Sequence, residues 1–186
     1  MKKSISVFGT ILFLLLIVST ASAGKFGIGG FAGVNIPIAQ KDMGNGTVYG
    51  AKGRIMVLPF LGMEPNFVFS KYGDKDIKDD EGNLLGTRKG GDITSFGLDA
   101  VVGIFSGFSK VRFYGILGLN SNMVKREKIP DQTRLGVSIG TGIEFLPIDI
   151  LGIEVRARVH SISLKGGGGR DNLELTGGLN YYFGPK

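Results

Sequence analysis

The chain has no cysteine, a single histidine and only six prolines among its 186 residues. Without cysteine it has no disulfide framework and no thiolate metal site. With one histidine, carboxylates are the only other metal donors, and imidazole-based catalysis would have to run through His160. Long apolar runs are scarce as well: past residue 23 no stretch matches the ~20 residues of a membrane-spanning helix. No later segment shows the 3.6-residue period of an amphipathic helix. A strong charge of one sign is also missing. The formal net charge is +6, or +4 without Lys2 and Lys3, and the basic residues are scattered. Nucleic acid is therefore not an expected partner. Glycine is abundant instead, at 32 residues without a collagen period, which suits tight turns and curving strands.

Residues 1–23 read as a signal peptide. Lys2 and Lys3 provide a charged start, Ile11 to Val18 an unbroken apolar run, and Ala21-Ser22-Ala23 a small-residue cleavage site. Cleavage after Ala23 would leave 163 residues, 24–186, enough for one domain. An exported chain of this size without disulfides must draw stability from another source. A closed barrel in lipid provides it, because every backbone group is then paired.

The rest of the chain divides into eight segments that alternate with a period of two. Lys25 to Ile38 sets Phe26, Ile28, Ala32, Val34 and Ile36 on one face. Thr47 to Leu58 sets Tyr49, Ala51, Ile55 and Val57 against Lys52 and Arg54. Met63, Phe67 and Phe69 oppose Glu64, Asn66 and Ser70 in the third, which ends at Tyr72. Asp92 to Phe105 carries Phe96, Leu98, Ala100, Val102 and Ile104 against Ser95 and Asp99. Val111 to Asn120, Thr133 to Leu146 and Gly152 to Leu164 follow, with Arg112 and Tyr114, then Arg134, Ser138 and Glu144, then Glu154, Arg156, Arg158 and His160 on the polar faces. In the last segment Leu173, Leu175, Leu179, Tyr181 and Phe183 oppose Glu174, Thr176, Asn180 and Tyr182.

The connections alternate long and short, so all long loops fall at one end. That is the pattern of an eight-stranded antiparallel up-and-down transmembrane β-barrel, in which ~9–11 tilted residues cross the bilayer. A soluble sandwich or lipocalin-like barrel would instead turn its apolar face inward. The many small residues on the polar faces favour a cramped lumen. If the apolar faces meet lipid, the lumen holds Lys52, Arg54, Glu64, Asp99, Arg112, Arg134, Glu144, Glu154, Arg156, Arg158, His160 and Glu174. Opposite charges in near balance there should pair, since an unpaired buried charge costs several kcal/mol. An eight-stranded barrel is just wide enough for side chains to fill it. The expectation is a charge plug; the alternative is a narrow channel for ions or small solutes.

Other motifs fail on context. Gly27-Ile28-Gly29-Gly30-Phe31-Ala32 fits a loose dinucleotide fingerprint but continues as a strand where a helix is required. In Asp74-Lys75-Asp76-Ile77-Lys78-Asp79-Asp80-Glu81 an aspartate stands where a calcium loop needs glycine. The insert from Gly73 to Gly91 reads as a solvated charged loop, with Leu84 and Leu85 in it. No cofactor or metal is expected.

The final strand resembles the terminal signal of bacterial outer-membrane barrels at Thr176, Gly178, Tyr181 and Phe183. The whole mature chain resembles the small outer-membrane barrel family of the OmpA transmembrane-domain and OmpX kind. The resemblance implies residence in the outer membrane of a Gram-negative-type bacterium and insertion by the barrel-assembly machinery. It further implies contact with outer-membrane lipid and lipopolysaccharide, and a structural or interaction role through four external loops whose ligand is unknown. Proteins of the OmpA type add a peptidoglycan-binding domain. This sequence stops three residues after Phe183, so cell-wall tethering is not expected. A lipid-modifying barrel enzyme of the deacylase kind would carry a His-x-Ser pattern facing lipid. Here Ile162 stands two after His160 and Ser161 points to the other face, so no enzymatic activity is expected.

Overall fold

The computed structural model describes residues 26–38, 44–79, 81–105, 110–126, 129–163 and 169–183. Residues 1–23, expected to be a signal peptide, and the expected cleavage site lie outside these residues. Eight strands close into a barrel: β1 (Phe26–Pro37), β2 (Gly44–Leu58), β3 (Leu61–Gly73), β6 (Asp92–Gly103), β7 (Val111–Arg126), β8 (Ile129–Ile148), β9 (Leu151–Ser163) and β10 (Gly169–Phe183). Between β3 and β6 stand two further strands, β4 (Lys75–Lys78) and β5 (Leu84–Arg88), which pair only with each other among the described residues. Every ladder is antiparallel. The barrel closes where β1 meets β10, from Phe26 opposite Phe183 to Pro37 opposite Asn172.

The alternation in the sequence becomes an inside-out distribution. Leu119, Leu135 and Ile104 are 69–75% exposed, whereas Glu64 and Glu144 are fully buried. A water-soluble barrel inverts that order, and a lipid-embedded one requires it. At the short-turn end, backbone bonds extend the ladder into the turns: Leu146 N–H donates to Lys110 O at 2.7 Å, and Tyr182 N–H to Ile150 O at 2.8 Å.

Two inward glycines show how the lumen accommodates large polar groups. A Cβ on Gly142 would lie 2.4 Å from the Tyr114 ring. One on Gly118 would lie 2.0 Å from Asp99 Oδ1. Glycine on one strand thus makes room for the side chain opposite.

The structure corrects two loop readings. The polar stretch from Ser121 to Gln132 is largely strand, because β7 and β8 continue past the apolar band with Asn122 opposite Arg134 and Val124 opposite Gln132. Their backbones satisfy each other there. The insert from Gly73 to Gly91 is also not a plain loop, since it folds as the β4–β5 hairpin.

The hairpin turn is built by Asp79. Its carboxylate accepts the backbone N–H of Glu81 (3.0 Å) and of Asn83 (2.7 Å), and the Asn83 side-chain amide at 3.1 Å. Gly82, with φ of 88°, takes the left-handed position. The Asn83 side-chain amide, together with the neighbouring backbone N–H groups, holds the Asp79 carboxyl below the usual range. A depressed folded-state pKa contributes stability above the ordinary value of ~3.9 and loses it as pH falls through the folded value. Acid titration followed by NMR should therefore move the Glu81 and Asn83 amides toward random-coil shifts only below the ordinary carboxylate range. In Asp79→Ala they should be displaced already at neutral pH; unchanged shifts in that variant would remove Asp79 from the turn.

Candidate functional site: the filled lumen

The inward faces place their charges at two heights. Nearer the short turns, β2 supplies Lys52 and Arg54, β3 Glu64, β7 Arg112 and Tyr114, β8 Glu144, β9 Glu154 and Arg156, and β10 Asn180 and Tyr182. Arg54 reaches three carboxylates. Its Nε donates to Glu64, Nη1 to Glu144 at 3.1 Å, and Nη2 to Glu154 at 2.7 Å. Nη1 also donates to the Tyr182 hydroxyl at 2.9 Å, and the guanidinium lies 4.9 Å from the Tyr114 ring centroid. Arg156 donates to Glu64 at 2.5 Å and to the Tyr114 hydroxyl at 3.0 Å.

Glu154 gathers more cations than Glu64 or Glu144 does among the described residues. It is ion-paired with Lys52, Arg54 and Arg156 and also receives Asn180 at 3.1 Å. Arg112 approaches Glu144 at 3.5 Å, while Asn180 and the Tyr182 hydroxyl each donate to Glu144 at 2.5 Å. Four cations therefore meet three carboxylates.

Nearer the long connections, Arg158 clamps Glu174 through Nε at 2.9 Å and Nη2 at 2.7 Å, and Nη1 donates to Asp99 at 3.1 Å. His160 lies 2.7 Å from Asn120 Oδ1 through Nε2 and 3.5 Å from Glu174 through Nδ1. Asn122 donates to Asn120 at 2.8 Å and accepts from the Ser95 hydroxyl at 2.5 Å.

Apolar clusters flank this polar column. Tyr72, Ile93 and Ile162, with Val124 against them, lie toward the long connections. Val101, Phe105, Tyr114 and Ile116, with Met56, lie toward the short turns.

Of the twelve residues assigned to the lumen from sequence, eleven are buried there: Lys52, Arg54, Glu64, Asp99, Arg112, Glu144, Glu154, Arg156, Arg158, His160 and Glu174. Arg134 is half-buried near the outer end of β8; its carbonyl accepts from Asn122 at 3.3 Å, while its guanidinium bonds to Gln132 and not to either charge group among the described residues. Charge alone did not single out the uncharged members Tyr114, Tyr182, Asn120, Asn122 and Asn180, although inward parity marks all of them but Asn122, which lies past the alternating part of β7. In the terminal strand, Thr176 is buried on the lumen face, whereas Tyr181 and Phe183 are exposed on the lipid face and pack edge to face at 4.7 Å. His160 and Ser161 point to opposite faces, as their burial shows. Among the described residues no three His, Cys, Asp or Glu are grouped to hold a metal.

A closed antiparallel barrel with apolar flanks, a charge-filled interior and tight turns at one end defines a small transmembrane β-barrel. The chain belongs to the outer membrane protein beta-barrel domain family, matched over residues 8–183. Its place is accordingly the outer membrane of a Gram-negative-type bacterium. Solved structures share the fold at low identity. Neisserial surface protein A is 16% identical with a TM-score of 0.68, covering 87% of this chain and 100% of that one. The N-terminal β-barrel domain of Pseudomonas aeruginosa OprF is 15% identical with a TM-score of 0.56, covering 86% and 97%. OprG, also of Pseudomonas aeruginosa, is 18% identical with a TM-score of 0.52, covering 88% and 97%. No curated protein sequence matches the chain significantly.

Proposed function

We propose that this protein is a non-conducting outer-membrane barrel with a structural and interaction role, its lumen filled by paired charges and its outer end offered to partners. The observation that carries the reading is the ion-pair set around Arg54, Glu64, Glu154 and Arg156, which joins β2, β3 and β9 across the barrel interior. One apolar cluster toward the long connections and another packed against Arg54 and Arg156 through Tyr114 add to the seal. In this reading residues 1–23 are a cleaved export signal, and Thr176, Gly178, Tyr181 and Phe183 present the last strand to the barrel-assembly machinery. Lipid and lipopolysaccharide surround the exposed apolar band. His160 is a member of the lumen network and carries no catalysis.

Single-channel recording in a planar bilayer tests the plug. The refolded protein should be silent. The double variant Arg156→Ala and Arg158→Ala, which removes one cation from each height, should conduct. Steady conductance of the unaltered protein would sink the proposal and make the lumen a small channel.

A further inference from the structure

We propose that the free edge of β4 docks a second copy of this chain, by antiparallel pairing centred on Ile77. This deepens the reading of the outer end as an interaction surface and rests on it. β4 and β5 form a sheet of their own, and among the described residues β4 pairs with β5 alone. From Asp76 to Lys78 its other edge has no strand paired to it among the described residues, and such an edge offers backbone donors and acceptors to another strand. Two strands by themselves are marginal; three or more with an apolar face are needed for a stable sheet. The hairpin also exposes Ile77 (41%), Leu84 (60%) and Leu85 (69%), with Leu84, opposite Lys78, on the other face from Ile77. Joining two copies makes a four-stranded sheet with Ile77 at its centre.

Charges on an edge strand normally prevent pairing. Here their order discriminates between partners. Read antiparallel against itself about Ile77, Lys75-Asp76-Ile77-Lys78-Asp79 sets Lys75 opposite Asp79, Asp76 opposite Lys78, and Ile77 opposite Ile77. Every charge meets its opposite, and cross-strand pairs of this kind are stabilising. The register is specified as well. Over the same five residues, a slip one way sets Lys75 opposite Lys78, and a slip the other way sets Asp76 opposite Asp79. Both put like charges face to face. The contact is isologous, as a two-fold dimer requires, because each residue and its partner exchange roles between copies.

Because the chain lacks cysteine, Ile77→Cys is a clean reporter. The full chain carrying it, refolded in detergent micelles so that copies can meet in any orientation, should form a disulfide-linked dimer under mild oxidation. Adding Asp76→Lys, or separately Lys78→Asp, places like charges opposite in two pairs and should lower the dimer yield about tenfold. Mixing the two charge variants should restore it. The new lysine of one copy then faces the new aspartate of the other, and Lys78 of the first faces Asp76 of the second. That recovery also shows that neither variant lost its yield by misfolding. Three results overturn the proposal: no dimer from Ile77→Cys alone, equal yields from all variants, or no recovery in the mixture. The cross-link is read without reference to conductance, so the plug and the docking edge stand or fall separately.

Discussion

Glu154→Gln will destabilise the folded barrel by about 3–5 kcal/mol, the cost of breaking a buried ion pair by removing one partner. Glu154 neutralises Lys52, Arg54 and Arg156 together. Without it, the lower lumen group keeps four cations against Glu64 and Glu144. Arg54 and Arg156 still have Glu64, whereas among the described residues Lys52 makes its ion pair with Glu154. The double variant Glu154→Gln with Lys52→Met should therefore recover roughly 2 kcal/mol or more, because removing both partners of a buried pair costs far less than removing one. Urea unfolding in lipid vesicles measures all four corners of the cycle. If the two losses simply add, Glu154 and Lys52 are not coupled, and the plug owes nothing to that pair.

The parity of these residues was legible in the sequence; their height was not. Period-two alternation reports the face on which Glu64, Arg112 or Glu174 points, because lipid on one side and a narrow lumen on the other select opposite residue types. It is silent on which side chains meet across the barrel. Arg158 finds Glu174 because the β9–β10 register places the two opposite each other. Arg54 reaches Glu154 across the lumen although the ladders carry Arg54 to Tyr182 and Glu154 to Gly178 on β10, because tilted strands stagger residues of equal height. Arg134 shares the inward parity yet sits near the outer end, since its strand runs on beyond the apolar band. The same cause hid the extensions of β7 and β8. Outside lipid both faces meet polar surroundings, so Asn122 and Gln132 carry no alternation while their backbones still pair. In the hairpin, charges fall on both faces of β4, which erased its period. The signal that was available there was turn chemistry, Asp79 with Gly82-Asn83, between Ile77 and the leucine pair at Leu84 and Leu85.

Leu117→Arg will cost about 2–4 kcal/mol, the penalty for a guanidinium on the lipid face near the bilayer midplane of a transmembrane barrel. Leu117 is 59% exposed and stands midway along β7, with Ala100 and Ile139 directly opposite on the neighbouring strands. The same change on a soluble barrel would exchange an exposed leucine for a well-hydrated cation at little cost. Ser163→Arg provides the depth control. It lies at the outer end of β9 on the same face, where the penalty falls to ~0–1 kcal/mol. Unfolding free energies in vesicles should thus depend on height along the strand and not merely on exposure. Equal costs at the two positions would mean that the apolar band is not bounded by lipid. A graded cost fixes its outer limit below Ser163 and leaves the β4–β5 hairpin standing in water, as its charged strands require.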